Sequence, residues 1–361
     1  MEKLKLYNQE NLNHLRSQGD QLAEATLLTL VSQPELISKL NSWNKLPDSQ
    51  QREELPSAVK KYFDAFDTSP DWVEIEKVKL AHDFFRENSS YYLSMLGFYA
   101  LPYCYAFADG AQVLYRSKRI TEDIGMRLAE TTLFVMDIFK PGNFLEHADS
   151  LWTVSKVRLI HEFSRYFIKN KSIGWETSWG IPINQEDMLG TNLAFSLLVI
   201  RGFDKLGRFP GKNVLEAVLH YWKIVGFYMG VDIQYWPNTA KEAYELESLI
   251  RKRQMKESDA GKFLVTSLIN FYKNAIQDSS LADLSETIIA YFVGEKASSI
   301  LGIRQYAEFP RPLYNFLLQL SFFRQSGLKP TYFRMRQDFH LQTKRNFGKE
   351  VSLRIPELIR S

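Results

Sequence analysis

One short segment of the sequence combines a histidine with two arginines at helical spacing. Arg158, His161 and Arg165 are separated by three and four residues, so a helix places all three side chains on one face. Apolar neighbours such as Val154 and Ile160 predict that much of this helix is buried, where unpaired charges are costly. A haem iron bound by the neutral imidazole, with the guanidinium groups near carboxylates of the haem, would satisfy these side chains. A structural network in which both arginines pair with Asp or Glu would satisfy them as well.

A second group of polar residues precedes this segment. Arg127, Glu130 and Thr131 stand at positions i, i+3 and i+4 of a predicted helix and therefore share one of its faces. Such a group can shape a ligand pocket. An ordinary ion pair between Arg127 and Glu130 on a helix surface has the same spacing, so the spacing alone leaves both interpretations open.

Several other kinds of chemistry lack their signatures. Ferritin-type di-iron proteins need Glu-x-x-His motifs on two helices, and the chain contains none. His161 and Glu162 are not followed by the second histidine of the zinc proteases, and the Cys-x-x-Cys-His motif of covalently attached haem is also absent. The Gly-x-Ser-x-Gly motif of the α/β-hydrolases is missing too. Any haem would therefore be bound non-covalently.

The composition is that of an ordinary globular protein of 361 residues, with 45% hydrophobic and 24% charged residues. A net charge of +3 gives no indication of a nucleic-acid partner. Cys104, the only cysteine, excludes an intrachain disulfide and an iron–sulfur cluster, and its neighbours predict a small buried side chain. The N-terminus is polar, and no apolar run reaches the roughly 20 residues that cross a bilayer. We therefore expect no transmembrane segment and a cytoplasmic location.

Hydrophobic periodicity places the candidate residues on helices. Apolar residues recur every three or four positions along most of the chain, whereas the alternation expected of strands is scarce. Asn184 has the position of a helix N-cap, with Glu186 and Asp187 in the first turn, and Gly207 has the position of a helix end. The pattern predicts an all-α fold. The strongest helical segments are 22–31, 126–139, 154–167, 188–203, 214–228, 263–272 and 313–323.

No internal repeat, low-complexity tract or flexible linker divides the chain. We therefore expect a single domain over residues 1–361. Its haem-binding helical core would lie at about residues 75–275, preceded by N-terminal helices in residues 1–74 and followed by a C-terminal helical extension in residues 276–361.

Four motifs, taken in order, resemble the latex-clearing-protein (rubber oxygenase) family of haem-b oxygenases, which includes the MpaB-type oxygenases. The last motif is the longest and the most distinctive, and the resemblance extends from Gly19 to about residue 270. The motifs are Gly19-Asp20-Gln21-Leu22-Ala23, Arg127-x-x-Glu130-Thr131, Arg158-x-x-His161-x-x-x-Arg165, and Trp179-Gly180-Ile181-Pro182-Ile183-Asn184-Gln185-Glu186-Asp187-Met188-Leu189-Gly190-Thr191.

The resemblance implies a globin-like helical core that carries haem b, with additional N- and C-terminal helices. It implies that His161 is the proximal ligand of the iron and that Arg158 and Arg165 are the cofactor-binding arginines flanking it. Arg127 and Thr131 match residues on the distal side, where oxygen binds. Family members of known activity cleave carbon–carbon double bonds in isoprenoid chains with O2.

Glu130 departs from the family pattern. Latex-clearing proteins have a lysine at the matching position, which can occupy the sixth coordination site of the iron, and a glutamate cannot act as an amine ligand. Burial would raise the pKa of the Glu130 carboxyl, and Arg127 one turn away would lower it. A protonated Glu130 could donate a hydrogen bond to bound oxygen, and an ionised one could act as a base or a weak ligand. Because of this departure and the missing secretion signal, we expect a substrate smaller than rubber.

We therefore predict an O2-dependent haem-b oxygenase that acts on an apolar, unsaturated small molecule such as an isoprenoid. His161 would bind the iron, and Arg127, Glu130 and Thr131 would form the catalytic side of the pocket. Two alternatives use the same sequence features. One is a non-enzymatic haem protein for sensing or storage, and the other is a metal-free carrier of apolar ligands in which the arginines form structural ion pairs.

Two further features have a structural interpretation beside a functional one. His220 could be a second iron ligand, but its apolar helix favours a hydrogen-bonded core histidine. The aromatic stretch at residues 91–99 could line the route of an apolar substrate, and it could equally be a buried core helix.

Overall fold

The protein is all-α in the part of the chain that the structure describes. A computed structural model describes residues 3–117, 123–172, 174–275, 279–304 and 332–357, with the backbone alone at 279–283. Within these ranges there is no β-strand, and two isolated bridges are the only β-type pairings. No helix in these ranges is both long enough and apolar enough to cross a membrane.

The described helices are numbered here in chain order. Short 3₁₀ turns at Lys3–Leu6 and Thr177–Trp179 supplement them. The helices are α1 (Gln9–Arg16), α2 (Gln21–Ser32), α3 (Glu35–Ser42), α4 (Ser49–Glu53), α5 (Ser57–Asp64), α6 (Ile75–Met95), α7 (Leu101–Tyr105), α8 (Ala108–Arg116), α9 (Ile124–Ile138), α10 (Ser150–Lys171), α11 (Gln185–Leu193), α12 (Val199–Lys205), α13 (Lys212–Tyr228), α14 (Ala240–Gln254), α15 (Asp259–Ala275), α16 (Ser279–Val293), α17 (Glu295–Leu301) and α18 (Tyr332–Phe347).

The predicted helices agree with these elements wherever the structure describes the chain. Asn184 is the N-cap of α11, where its side chain accepts a hydrogen bond from the Asp187 amide at 3.0 Å. Gly207 has a φ of 76° just after α12, which is the left-handed conformation that glycine favours at a helix end. The predicted segment 313–323 lies outside the described residues, and the boundaries proposed for the core and its two extensions stay a prediction.

Two wide π turns interrupt the helices that surround the centre of the molecule. Leu96–Ala100 joins α6 to α7, Ala194–Leu198 joins α11 to α12, and the two turns pack against each other. A π turn holds one residue more than an α turn, which disturbs the regular pairing of backbone groups. The Tyr92 hydroxyl donates to the Phe195 carbonyl oxygen at 2.6 Å, and Trp222 Nε1 donates to the Tyr92 hydroxyl at 2.8 Å. Side chains therefore supply hydrogen bonds to the second turn.

A buried ion pair joins the N-terminal part of the chain to the long helix α10. Arg158 Nε lies 2.5 Å from Asp20 Oδ2, and Arg158 Nη2 lies 2.8 Å from Asp20 Oδ1. Arg158 Nη1 also donates to the Tyr228 carbonyl oxygen, and Asp20 accepts from the Ala23 amide as the N-cap of α2. Gly230, with a φ of 79°, passes so close that a side chain there would come within 2.9 Å of the Arg158 guanidinium. The pair therefore holds α2, α10 and the end of α13 in one arrangement.

Replacement of Asp20 by alanine should destabilise the fold strongly. The variant leaves the Arg158 charge buried without its carboxylate and removes the N-cap of α2, so we expect a loss of about 3–5 kcal/mol in the free energy of unfolding. Urea denaturation followed by circular dichroism measures this loss. Glu76→Ala, which breaks the exposed pair between Glu76 and Lys79, is the control and should leave stability nearly unchanged. An equally small effect of both substitutions would contradict the role given to Asp20.

Candidate functional site

A largely apolar cavity lies between α7, α8, α9, α10, α11 and α13. Its volume is about 270 Å³, counted as the space that the centre of a water molecule can occupy. Arg127, Glu130, Thr131 and His161 all line it, so the fold brings together the four residues predicted for the iron ligand and the catalytic side. The apolar part of the wall consists of Leu101, Tyr105, Phe107, Val113, Leu114, Ile124, Leu128, Phe134, Val157, Ile183, Met188, Phe195, Trp222, Val225, Met229, Val231 and Leu353.

His161 presents a neutral imidazole to this cavity. Burial and, to a smaller extent, the positive charges of Arg165 and Arg127 together lower its pKa to about 3, against a smaller opposing effect of Asp20. Its Nδ1 atom is buried and has no hydrogen-bond partner among the described residues. A buried ring nitrogen without a partner is costly in a protein that lacks a ligand there. The side chain therefore has the protonation state and the unused nitrogen that a metal ligand requires.

Three residues of α9 contribute polar groups to the cavity wall. Arg127 Nη1 lies 3.2 Å from Glu130 Oε2, and the Thr131 hydroxyl donates to the Arg127 carbonyl oxygen at 3.0 Å. The Glu130 side chain is 11% exposed and that of Arg127 is 29% exposed. The ion pair considered from the spacing is thus present, and it lies at the cavity instead of on the outer surface of the protein.

Arg158 and Arg165, which were predicted to bind the cofactor, do not line the cavity. Arg158 is held by Asp20, and Arg165 pairs with Glu162 at 2.6 Å and donates to the Ile183 carbonyl oxygen. Successive helical residues are rotated by about 100°, so His161 is offset by about 60° from Arg158 and by about 40° from Arg165. These offsets let the imidazole face the cavity while both guanidinium groups face protein carboxylates and carbonyls. Their direct contact with a cofactor therefore stays a prediction, and their observed role is to position α10.

Asp187, the acidic residue in the first turn of α11 and a member of the long motif at residues 179–191, also lines the cavity. Its Oδ2 accepts from Asn184 Nδ2 at 2.9 Å, and its Oδ1 lies 3.4 Å from Arg16 Nη1. The pKa of the Asp187 carboxyl is raised to about 7, mainly by burial; Arg16 opposes this rise, and the negative charges of Glu186 and Asp109 contribute to it. Asp187 is therefore a cavity-facing group that can hold or release a proton near neutral pH.

Burial is the main cause of this raised pKa, and the charge balance around Asp187 limits how far Arg16 can lower it. Three carboxyl groups share two guanidinium groups in the described part of this cluster. Arg16 reaches Asp109 at 3.2 Å, Glu186 at 3.3 Å and Asp187 at 3.4 Å, while Arg253 is used by Glu186 at 2.7 Å. One negative charge is left without a full partner, so a proton on one carboxyl restores the balance. Asp187 is the member of the cluster that faces the cavity.

The long motif at residues 179–191 positions this carboxyl. Gly180 has a φ of 71°, and a side chain there would come within 2.5 Å of the Arg16 carbonyl oxygen, so only glycine fits. Gln185 Nε2 donates to the carbonyl oxygens of Gly19 and Gly230 at 3.0 and 2.8 Å. The motif therefore joins the N-terminal segment to the start of α11, the helix that carries Asp187 to the cavity.

The remaining candidates have structural roles or line the cavity passively. His220 Nε2 accepts from the Glu74 amide at 2.9 Å and its ring packs edge-to-face on Trp72, which confirms a hydrogen-bonded core histidine. Cys104 lines the cavity, and burial raises the pKa of its thiol to about 12, so the thiol is neutral.

The aromatic stretch at residues 91–99 is mostly core, but it also lines a small void next to the cavity. That void holds about 20 Å³. Leu128 and Thr131 border both spaces, while Leu93, Leu96 and Gly97 border only the smaller one. The stretch therefore contributes to the apolar surroundings of the cavity without lining it directly.

Comparison with known proteins shows the family and the fold of this chain. Residues 105–321 match the family described as ER-bound oxygenase mpaB/B'/Rubber oxygenase, catalytic domain. The chain belongs to this family. Its sequence is 22% identical over 290 residues to the rubber oxygenase of Streptomyces sp. (strain K30), covering 79% of this chain and 70% of the relative. The solved structure of latex clearing protein in its closed state has 20% sequence identity and superposes with a TM-score of 0.71 over 95% of both chains, which establishes a shared fold. The resemblance inferred from the four motifs is thereby confirmed.

Replacement of Asp187 by asparagine should change the pH dependence of stability. An unfolded aspartate ionises near pH 4, whereas the folded Asp187 carboxyl keeps its proton to about pH 7, so its ionisation costs folding free energy as pH rises between these values. The variant lacks this cost. We expect its thermal midpoint to rise relative to wild type from pH 4.5 to 7.5 and the difference to stay constant above pH 8.

Thermal denaturation of both proteins in matched buffers across this range provides the measurement. Taking the difference between the two proteins cancels the contribution of His161, which has the opposite sign because a lowered histidine pKa makes stability rise with pH. A difference that does not vary with pH would show that Asp187 is ionised throughout.

Proposed function

We propose that the protein is a haem-b oxygenase that uses O2 on an apolar, unsaturated small molecule, with His161 as the proximal iron ligand. The observation that carries this proposal is a neutral imidazole, with a buried and unpartnered ring nitrogen, in the wall of an apolar cavity. Membership of an oxygenase family supports the reaction class.

The residues at the cavity fit a haem. A porphyrin provides four of the ligands of its iron, so one neutral imidazole is enough protein ligation. In the described ranges no three His, Cys, Asp or Glu side chains are grouped as a site for a free metal ion. The wide apolar wall suits the flat hydrocarbon face of the macrocycle. Haem b bound there would supply an iron that binds and activates O2.

The chain itself contributes charge, protons and exclusion of water. The Arg127 guanidinium and the Glu130 carboxyl lie on the cavity wall as an ion pair, so either charge can respond to polar groups formed during oxidation. Asp187 can hold a proton or release it at neutral pH. The apolar side chains keep water out and position a hydrocarbon substrate.

The substrate class follows from the wall and from the relatives. Most of the lining residues are apolar, and one relative is named as an oxygenase of rubber, which is an unsaturated hydrocarbon polymer. Glu130 occupies the position where latex-clearing proteins have lysine, and its carboxyl is engaged by Arg127. We therefore propose a smaller unsaturated molecule of isoprenoid type as the substrate.

Replacement of His161 by alanine should abolish haem binding while the fold persists. The variant removes the only histidine of the described residues that lines the cavity. Purified wild type should show a Soret band with about one haem b per chain by the pyridine haemochrome assay, and His161→Ala should show less than about a tenth of it.

His14→Ala, at an exposed histidine of α1, is the matched control and should keep its haem. A His161→Ala protein with full haem content and an unchanged spectrum would overturn the ligand assignment. A wild type that stays colourless after haem supplementation would favour the metal-free carrier. That alternative expects Arg158 and Arg165 to form structural ion pairs, as they do here. Haem without oxidised products from isoprenoid alcohols in aerobic incubation, analysed by mass spectrometry, would favour a sensing or storage protein.

Replacement of Glu130 by alanine should keep haem and change the ligand preference of the site. Without its carboxylate partner, the Arg127 guanidinium would face the cavity as an unpaired cation and should raise azide affinity about tenfold. Azide titration followed in the Soret region measures this change, and oxygen consumption reports on turnover. Ser164→Ala is the control, because Ser164 lines the cavity but its hydroxyl donates within α10 to the Ile160 carbonyl oxygen. Azide affinity and turnover equal to wild type would remove Glu130 from the mechanism.

A further inference from the structure

One residue of the cavity wall comes from a distant part of the chain. The other lining residues in the described part of the chain lie between Leu101 and Val231, whereas Leu353 belongs to the C-terminal segment 349–357, called the tail. The family match ends at residue 321. Part of the wall is therefore supplied by a segment outside the matched catalytic domain.

The tail is directed to the cavity by the helix that precedes it. Helix α18 is attached to α9, because the Tyr332 hydroxyl donates to the Met136 carbonyl oxygen at 2.9 Å and Arg336 pairs with Asp137. Gly348 then adopts a φ of 68°, the left-handed conformation that is common just after the end of a helix. The chain leaves α18 at this glycine and continues as the tail.

The tail has an extended pattern of alternating burial. Leu353 and Ile355 are buried at 8% and 1% exposure, while Ser352 and Arg354 are exposed. The Asn41 side chain of α3 forms two hydrogen bonds with Ile355, from Nδ2 to the carbonyl oxygen at 2.8 Å and from the Ile355 amide to Oδ1 at 2.9 Å. Asn41 thereby fixes the tail at Ile355, the next buried residue after Leu353.

Apolar contact supplies most of the remaining attachment. Within the described residues, the hydrogen bonds of segment 351–357 are those to Asn41. Burial lowers the pKa of Lys156 on α10, and the positive charge of Arg354 lowers it further, so the charges near the tail repel each other. Leu353 is therefore held in the wall by its apolar contacts with the core. The size of its side chain sets how far the wall extends into the cavity.

We propose that Leu353 is a specificity-determining residue, and that the tail limits the length of the apolar chain that the cavity accepts. The inference rests on the proposed function only for the class of ligand, an apolar chain. Alanine at this position would enlarge the cavity next to the tail while Asn41 still holds Ile355. A larger side chain at the same position would close space.

The experiment compares the binding of geraniol, farnesol and geranylgeraniol, three alcohols that differ by one isoprene unit at each step. Calorimetric titrations use the full-length protein as purified, with its haem content determined in the same preparation. In Leu353→Ala the affinity for geranylgeraniol relative to geraniol should rise about tenfold over wild type, because the freed space buries additional methylene groups. Leu353→Phe should change the same ratio in the opposite direction. Leu341→Ala, the same substitution at an exposed leucine of α18, is the matched control and should behave as wild type.

The outcomes separate this inference from the proposed function. Equal length preference in wild type, Leu353→Ala and Leu353→Phe, with circular dichroism showing that all three are folded, overturns the role of Leu353 even if the protein binds haem. Failure of all the alcohols to bind overturns it too. A shift in opposite directions in the two variants supports it, and this result stands even if the wild type takes up no haem and the oxygenase proposal fails.

Discussion

The buried ion pair between Asp20 and Arg158 is the contact on which the candidate site depends. It ties the N-terminal helices to α10, and Arg165 ties the same helix to the carbonyl oxygen of Ile183. With α10 held from two points, its rotation is fixed, and His161 between them has no freedom to turn toward a carboxylate. The unpartnered nitrogen of the imidazole is thus a consequence of contacts made by its neighbours along the helix, and the neutral state follows mainly from its burial in this position.

Much of the site could be predicted because it is built from helix spacing. Arg127, Glu130 and Thr131 lie on one face of α9, as the i, i+3, i+4 pattern indicates, and α9 packs against α10 so that this face meets His161 across the cavity. The same kind of pattern did not determine where the side chains of Arg158 and Arg165 on α10 would point. An offset of about 40–60° around a helix axis decides whether a side chain enters a cavity or a neighbouring ion pair, and spacing alone does not distinguish the two.

Two residues of the cavity could not have been found from local patterns. The pKa of Asp187 is raised mainly by burial; Asp109 adds to this rise and Arg16 opposes it, and both residues are far away in sequence and reach Asp187 only in the folded chain. Leu353 lies in an extended segment without helical periodicity and reaches the cavity only through the attachment of α18 to α9. Long-range packing therefore adds to the site one group that titrates and one that sets its size.

The π turn at Ala194–Leu198 has a consequence for how the cavity could change. Helix α11 before the turn presents Asp187 and Thr191 to the cavity, while α12 after it presents Arg201 to Glu247. Because each helical residue advances the chain by about 100°, one residue more or fewer in this turn would rotate one helix against the other by about that angle. The number of residues in a single turn therefore sets which side chains of α11 face the cavity when α12 is held in place, as strand register sets which side chains face the core in a β-sheet. A change of one residue there would exchange the cavity lining while leaving α10 and its histidine in place.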